Sequence, residues 1–214
     1  MASLPPTFDR LASTRRRTLD LIEGVEQETS DRRPAKSKKL LGEAGSWSMG
    51  EILDHILRVY NCLVGEIGIL FDLDAKGEQT VVKRSLKDYD VAPALIPKAF
   101  MAVLEPGFQL ANVVTQAILP SSVRERILRN RVVPIQNPER WMPVAGRDIA
   151  ELQSELKSSL SDLEKLLERD MRKPLEDLVL SHTVFGSSSV PELLGLLEVH
   201  EAWHQPDLEA RGAK

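Results

Sequence analysis

The sixteen residues Ser189-Val190-Pro191-Glu192-Leu193-Leu194-Gly195-Leu196-Leu197-Glu198-Val199-His200-Glu201-Ala202-Trp203-His204 hold a helix start, a core face and two imidazoles. Serine followed three positions later by glutamate is the capping-box pattern, and a proline is tolerated in the first turn. From there Leu193, Leu197, His200 and His204 follow the i, i+4, i+7, i+11 series, which lies along one face of an α-helix. The imidazoles therefore extend an apolar stripe and point into the protein interior. Two neutral imidazoles held four residues apart can grip one transition metal.

A second stretch, Trp47-Ser48-Met49-Gly50-Glu51-Ile52-Leu53-Asp54-His55, repeats the logic upstream. Ser48 and Glu51 form a capping box, with Trp47 placed to staple onto Ile52 across it. The stripe continues through Ile52, Ile56, Val59, Leu63, Ile67 and Leu70, and His55 lies on or beside it. The chain has four histidines, His55, His182, His200 and His204. Three of them are thus expected to face one interior. Burying three imidazoles without a shared partner costs polar desolvation, so a shared metal is the simpler reading. His182, in Ser181-His182-Thr183-Val184-Phe185-Gly186, is read as a loop residue that packs or supports a ligand rather than ligating.

Two further helices complete the pattern. One starts near Asp148, with the stripe Ile149, Leu152, Leu156, Leu160, Leu163 and Leu167. The other spans roughly Thr7 to Thr29 with a weaker stripe of Leu11, Ile22 and Val25. Between the second and third helices, about 72–147, seven of the thirteen prolines accumulate: Pro93, Pro97, Pro106, Pro120, Pro134, Pro138 and Pro143. A structureless loop of that length is uncommon. Short helices are expected there near Ala94–Ile118, broken at Pro106, and near Ser122–Asn130. The fold class expected is all-α: one domain over 1–214, an up-down four-helix bundle with a long, partly helical insertion at 72–147 packed across one end or side.

Composition narrows the class of function. The 214 residues are 42% hydrophobic and 28% charged, which predicts a packed soluble core. A formal charge of −4 gives no general attraction to nucleic acid or an anionic membrane. One cysteine, Cys62, excludes an internal disulfide framework and fits a reducing cytoplasm. At seven residues after His55 it is too far along the helix to share a metal, and it reads as a small buried apolar residue. No signal peptide or transmembrane segment is recognisable, so a cytoplasmic protein is expected. The Arg15-Arg16-Arg17 run and the Arg124, Arg126, Arg129 and Arg131 cluster read as solvated faces.

Read literally, His200-Glu201-Ala202-Trp203-His204 is also H-E-x-x-H, the zinc-protease signature. That reading needs a third ligand and a free glutamate. The residues after His204 offer only Asp207 and Glu209. Pro206 is moreover expected to end or kink the helix at Gln205. Glu201, about 100° around the helix from His200, is expected at the surface or behind the ligands, not as a general base.

The three stretches Trp47–His55, His182–Gly186 and Ser189–His204 resemble, in that order, the DinB/YfiT-like superfamily of metal-binding four-helix proteins. The resemblance implies a divalent metal held by His55 together with the His200/His204 pair. The metal could be Zn, Ni, Fe or Mn. Asp207 stands where relatives often carry glutamine. Some relatives are transferases using a low-molecular-weight thiol, others hydrolases or isomerases, and many have no known activity. The resemblance therefore implies a metal-dependent enzyme, in first place a thiol-dependent S-transferase. A non-catalytic metal-binding or interaction bundle is the alternative. The expected partners are a small-molecule substrate, a thiol cosubstrate and a second copy of the chain, with no nucleic acid and no membrane.

Overall fold

A computed structural model describes residues 4–34, 46–85, 88, 92–93, 135–182 and 186–212. The helices expected near Ala94–Ile118 and Ser122–Asn130, and the arginines at 124–131, lie outside the described residues. The chain forms two compact units. Residues 1–65, 141–170 and 194–214 make the first, and 66–140 with 171–193 the second. Two long helices contribute residues to both.

The first unit is helical. Helix α1 (Pro6–Leu21) starts on a proline in its first turn. It stops well short of Thr29: Gly24 adopts φ +68°, where a side chain would be strained, and a short α2 (Gln27–Asp31) follows. The expected single helix is therefore broken by a glycine turn. Helix α3 (Met49–Lys76) opens on the predicted capping box. Ser48 N–H donates to Glu51 at 2.8 Å and Glu51 N–H donates to Ser48 Oγ at 3.2 Å. Helix α4 (Ile149–Leu167) is capped by Asp148, whose carboxylate accepts from the N–H groups of Ala150 and Glu151.

Helix α5 (Val190–Gly212) passes straight through Pro206, against the expected stop. The last turns are held from outside the helix. Leu208 is buried in the core, Gln205 donates to Thr14 O at 2.9 Å, and Arg211 donates to Trp47 O at 2.7 Å. Such packing offsets an interior proline, whose cost is about 3 kcal/mol.

The core of this unit joins Ile22 after α1, Trp47, Met49, Ile52, Leu53, Ile56 and Leu57 around the start of α3, Ile149, Leu152 and Leu156 of α4, and Leu208 of α5. Each such side chain contributes about 1.5–3 kcal/mol of burial. At Gly50 a Cβ would stand 2.9 Å from Ser30 Oγ and 3.7 Å from Ser30 O, so a larger residue would force the Ser30 hydroxyl of α2 aside.

The second unit contains a small sheet, which corrects the all-α expectation. Strand β1 (Val81–Arg84) pairs in parallel with β4 (Val179–His182), which forms an antiparallel pair with β5 (Gly186–Ser189). A two-residue antiparallel ladder also joins β2 (Ala92–Pro93) to β3 (Ile135–Gln136). His182 is therefore the buried end of a strand, not a loop residue. Leu178, Leu180 and His182 are all buried at a period of two, the strand signature. At the end of α3, Asp74 accepts the N–H of Arg172 at 2.6 Å, and Thr80 Oγ donates to Asp177 O at 3.0 Å. The start of α5 is capped as predicted, Ser189 N–H donating to Glu192 at 2.8 Å. Among the described residues no helix is long and apolar enough to cross a membrane.

Candidate metal centre

The two capped helices deliver their histidines to one place in the first unit. Capping fixes where α3 begins, and His55 then falls on its buried face two turns in. On α5 the i, i+4 spacing stacks His200 and His204 with ring centroids 4.9 Å apart. The His55 ring stands 5.0 Å from that of His200 and 5.2 Å from that of His204. One nitrogen from each of the three lies within 4.8 Å of the others. His182 belongs to the second unit and is not of this group.

The environment of each ring is asymmetric. His55 and His204 are buried, whereas His200 is half-buried. His55 Nδ1 lies 2.7 Å from the carbonyl oxygen of Trp141, in a 3₁₀ turn, Glu139–Trp141. A carbonyl only accepts, so Nδ1 carries the hydrogen and Nε2 turns its lone pair towards His200 Nε2, 3.1 Å away. Orientation of a ligating ring by a hydrogen bond at its far nitrogen is the usual support for a metal site. Burial lowers the His55 pKa to about 4, against the opposing pull of the Trp141 carbonyl and the Asp54 charge. The ring is neutral at physiological pH, as ligation requires.

The donor set fits a divalent transition ion. The 3.1 Å between His55 and His200 nitrogens is close to the roughly 3.3 Å edge of a tetrahedron with Zn–N bonds of about 2.0–2.1 Å. Three imidazoles, all neutral donors, suit Zn, Ni or Fe and leave positions open for another ligand.

Several supporting residues carried less signal in the sequence. Asp54, next to His55, accepts from Arg58 at 2.6 Å, from Val144 N–H at 2.7 Å and from Arg147 at 2.9 Å. Burial pushes its carboxyl up, but these donors outweigh it and hold the pKa below the ordinary value. Asp54 thereby anchors the 144–147 segment that follows Trp141. The Trp47 ring packs 4.9 Å from His55, and Trp203 stands 6.4 Å from His200.

Glu201 is buried, which rules out the surface half of its expected role. Both its oxygens share the Nε–H of Arg15, at 2.8 and 2.9 Å. Arg15 is itself fully buried, contrary to the expectation of a solvated Arg15-Arg16-Arg17 run, whereas Arg16 and Arg17 are exposed. A carboxylate committed in this way is no general base, so the protease reading of H-E-x-x-H fails on geometry as well as on ligand count. Cys62 is a free, half-buried thiol, less enclosed than expected.

The family model described as the DinB superfamily matches residues 10–206, a range that takes in all three clustered histidines. No curated protein and no solved structure matches the chain. The chain belongs to the DinB superfamily.

Proposed function

We propose that His55, His200 and His204 hold one divalent metal, with Zn, Ni, Fe and Mn as the candidates, and that the protein is a thiol-dependent S-transferase. In this reading the chain works as one DinB-like domain. Its helices α1, α3, α4 and α5 form the up-down bundle that positions the ligands. The observation that carries the reading is the convergence of three imidazoles, with one of them, His200, only half-buried. A divalent ion bound by neutral donors keeps its full charge, and so lowers the pKa of a coordinated thiol or water. The residues supply the rest. His55 is locked in one tautomer by Trp141, the α5 pair sets the opposite side, and the half-buried edge at His200 admits a thiol and a small electrophilic substrate.

Untagged protein purified without chelator is expected to hold about one equivalent of metal. Loaded protein is expected to conjugate a low-molecular-weight thiol to a model electrophile, and His200→Ala to do neither. Metal below stoichiometry in both wild type and His200→Ala would sink the metal site. Retained metal without any conjugation would sink the transferase and leave a non-catalytic metal-binding bundle.

A further inference from the structure

Arg15 makes contacts that its sequence position alone does not explain. Its guanidinium touches the three long helices other than its own, α3, α4 and α5. From α1 its Nε reaches Glu201 of α5, and Nη1 donates to Leu156 O and Ser159 Oγ of α4, both at 2.8 Å. Its Cζ also stands 4.6 Å over the ring of Tyr60 on α3, whose hydroxyl donates to Ser159 O at 2.9 Å. Arginine and glutamate are here both almost fully buried. A buried ion pair is a poor source of net stability, because desolvation offsets the attraction. What it does supply is geometric: a planar donor group accepts few orientations of its partner.

Glu201 lies between the two histidines of α5 in sequence. At 100° per residue it stands roughly 100° around the helix from His200 and 60° from His204. Fixing its carboxylate on Arg15, which is itself tied to α4, therefore fixes the rotation of α5 about its own axis. The ligating nitrogens sit roughly 6 Å from that axis, so a rotation of about 10° moves them by about 1 Å. A binding constellation tolerates roughly 0.5 Å.

We propose that the Arg15–Glu201 pair is a positioning device for the metal centre. It sets the azimuth at which α5 presents His200 and His204 to His55. This inference rests on the metal reading above, and it gives the glutamate of H-E-x-x-H the role of holding the ligand pair in place.

The test uses cobalt(II) alone as probe on the full chain, with affinity from competition against a chromophoric chelator and geometry from the cobalt d–d bands. Two variants are compared with wild type. Glu201→Gln keeps the shape and removes the charge. The double variant Arg15→Met/Glu201→Leu removes the pin and leaves no buried charge behind. Both are expected to bind cobalt at least tenfold more weakly, as for other ligand-supporting groups, with altered d–d bands. The metal-free double variant is expected to keep a cooperative melt.

Folded variants with wild-type affinity and bands would make the pair merely structural and overturn the proposal. So would failure of both variants to fold, since the pair would then be a folding requirement. Wild type that binds cobalt no better than His200→Ala would overturn the metal reading itself, a result distinct from either.

Discussion

The carbonyl oxygen of Trp141 lies 2.7 Å from Nδ1 of His55, across 86 positions of the chain. It gives the imidazole one tautomer and one direction. The nitrogen left as an acceptor is the one that faces His200, 3.1 Å away. The segment leading out of the 72–147 region thus reaches the candidate metal centre through a backbone atom.

Removal of that imidazole is expected to empty the site. His55→Ala should lower bound metal from about one equivalent to a few per cent, read by elemental analysis. In wild type, free metal at 100 times its dissociation constant should stabilise the fold by about 2.7 kcal/mol. In His55→Ala the same addition should leave the melting temperature unchanged.

The tryptophans around the histidines make binding visible. With Trp47 at 4.9 Å from His55 and Trp203 at 6.4 Å from His200, nickel(II) or copper(II) should quench intrinsic fluorescence with a 1:1 end point. Trp47→Phe should reduce the amplitude without shifting that end point. A linear, non-saturating loss of signal would count against a single site.

Acid should weaken the metal-free fold through His182. Burial pushes its pKa down to about 4, against the opposing pull of Asp88. The unfolded ring titrates near 6.5, so between these values the unfolded state binds the extra proton. The stability is complete above pH 6.5 and is lost as pH falls towards 4, by about 3 kcal/mol at most. Urea midpoints of chelated protein at pH 7, 6, 5 and 4.5 should trace this fall, and His182→Asn should make it shallower, the remainder being carried by His55, which burial holds at the same depressed value.

Asp54→Asn should cost about 1–2 kcal/mol, since the carboxylate is buried while Arg58 and Arg147 keep partial access to water. The carboxylate holds Arg58, Arg147 and the Val144 N–H together. Chemical denaturation measures the loss. Metal affinity should fall with it, because the turn that carries the Trp141 carbonyl loses its anchor.

Pro206→Ala should act in the opposite direction. Position 206 is exposed inside α5, so alanine restores an N–H without disturbing the core. A gain of about 1–3 kcal/mol in urea denaturation is expected.

Where side chains repeat along one face, the sequence was readable. The boxes at Ser48/Glu51 and Ser189/Glu192, the Asp148 cap and the stripe of α4 lie where periodicity and capping place them. The same rule brought His55, His200 and His204 together. Arg15 was open to it as well: Leu11, Arg15, Thr18 and Ile22 follow the i, i+4, i+7, i+11 series of the His200 helix, and all four are buried. The neighbouring Arg16 and Arg17, both exposed, mask that face with charge in the sequence. The strand ending at His182 is only four residues long, too short for its alternation to stand out beside long helical stripes. The Trp141 contact had no side-chain signal at all, since the atom that acts is a carbonyl. The passage of α5 through Pro206 depended on tertiary packing that overrides a local rule.

The ion pair between Arg15 and Glu201 closes a span of 186 residues, and His55 meets His200 across 145. Closing loops of that length costs entropy that local helix formation does not repay, so such contacts are expected late in folding. A fragment bearing only the α5 histidines can offer a cation two imidazoles, never three. Tight binding therefore requires the tertiary fold, and the appearance of a saturable metal signal during refolding would time the moment at which the distant segments meet.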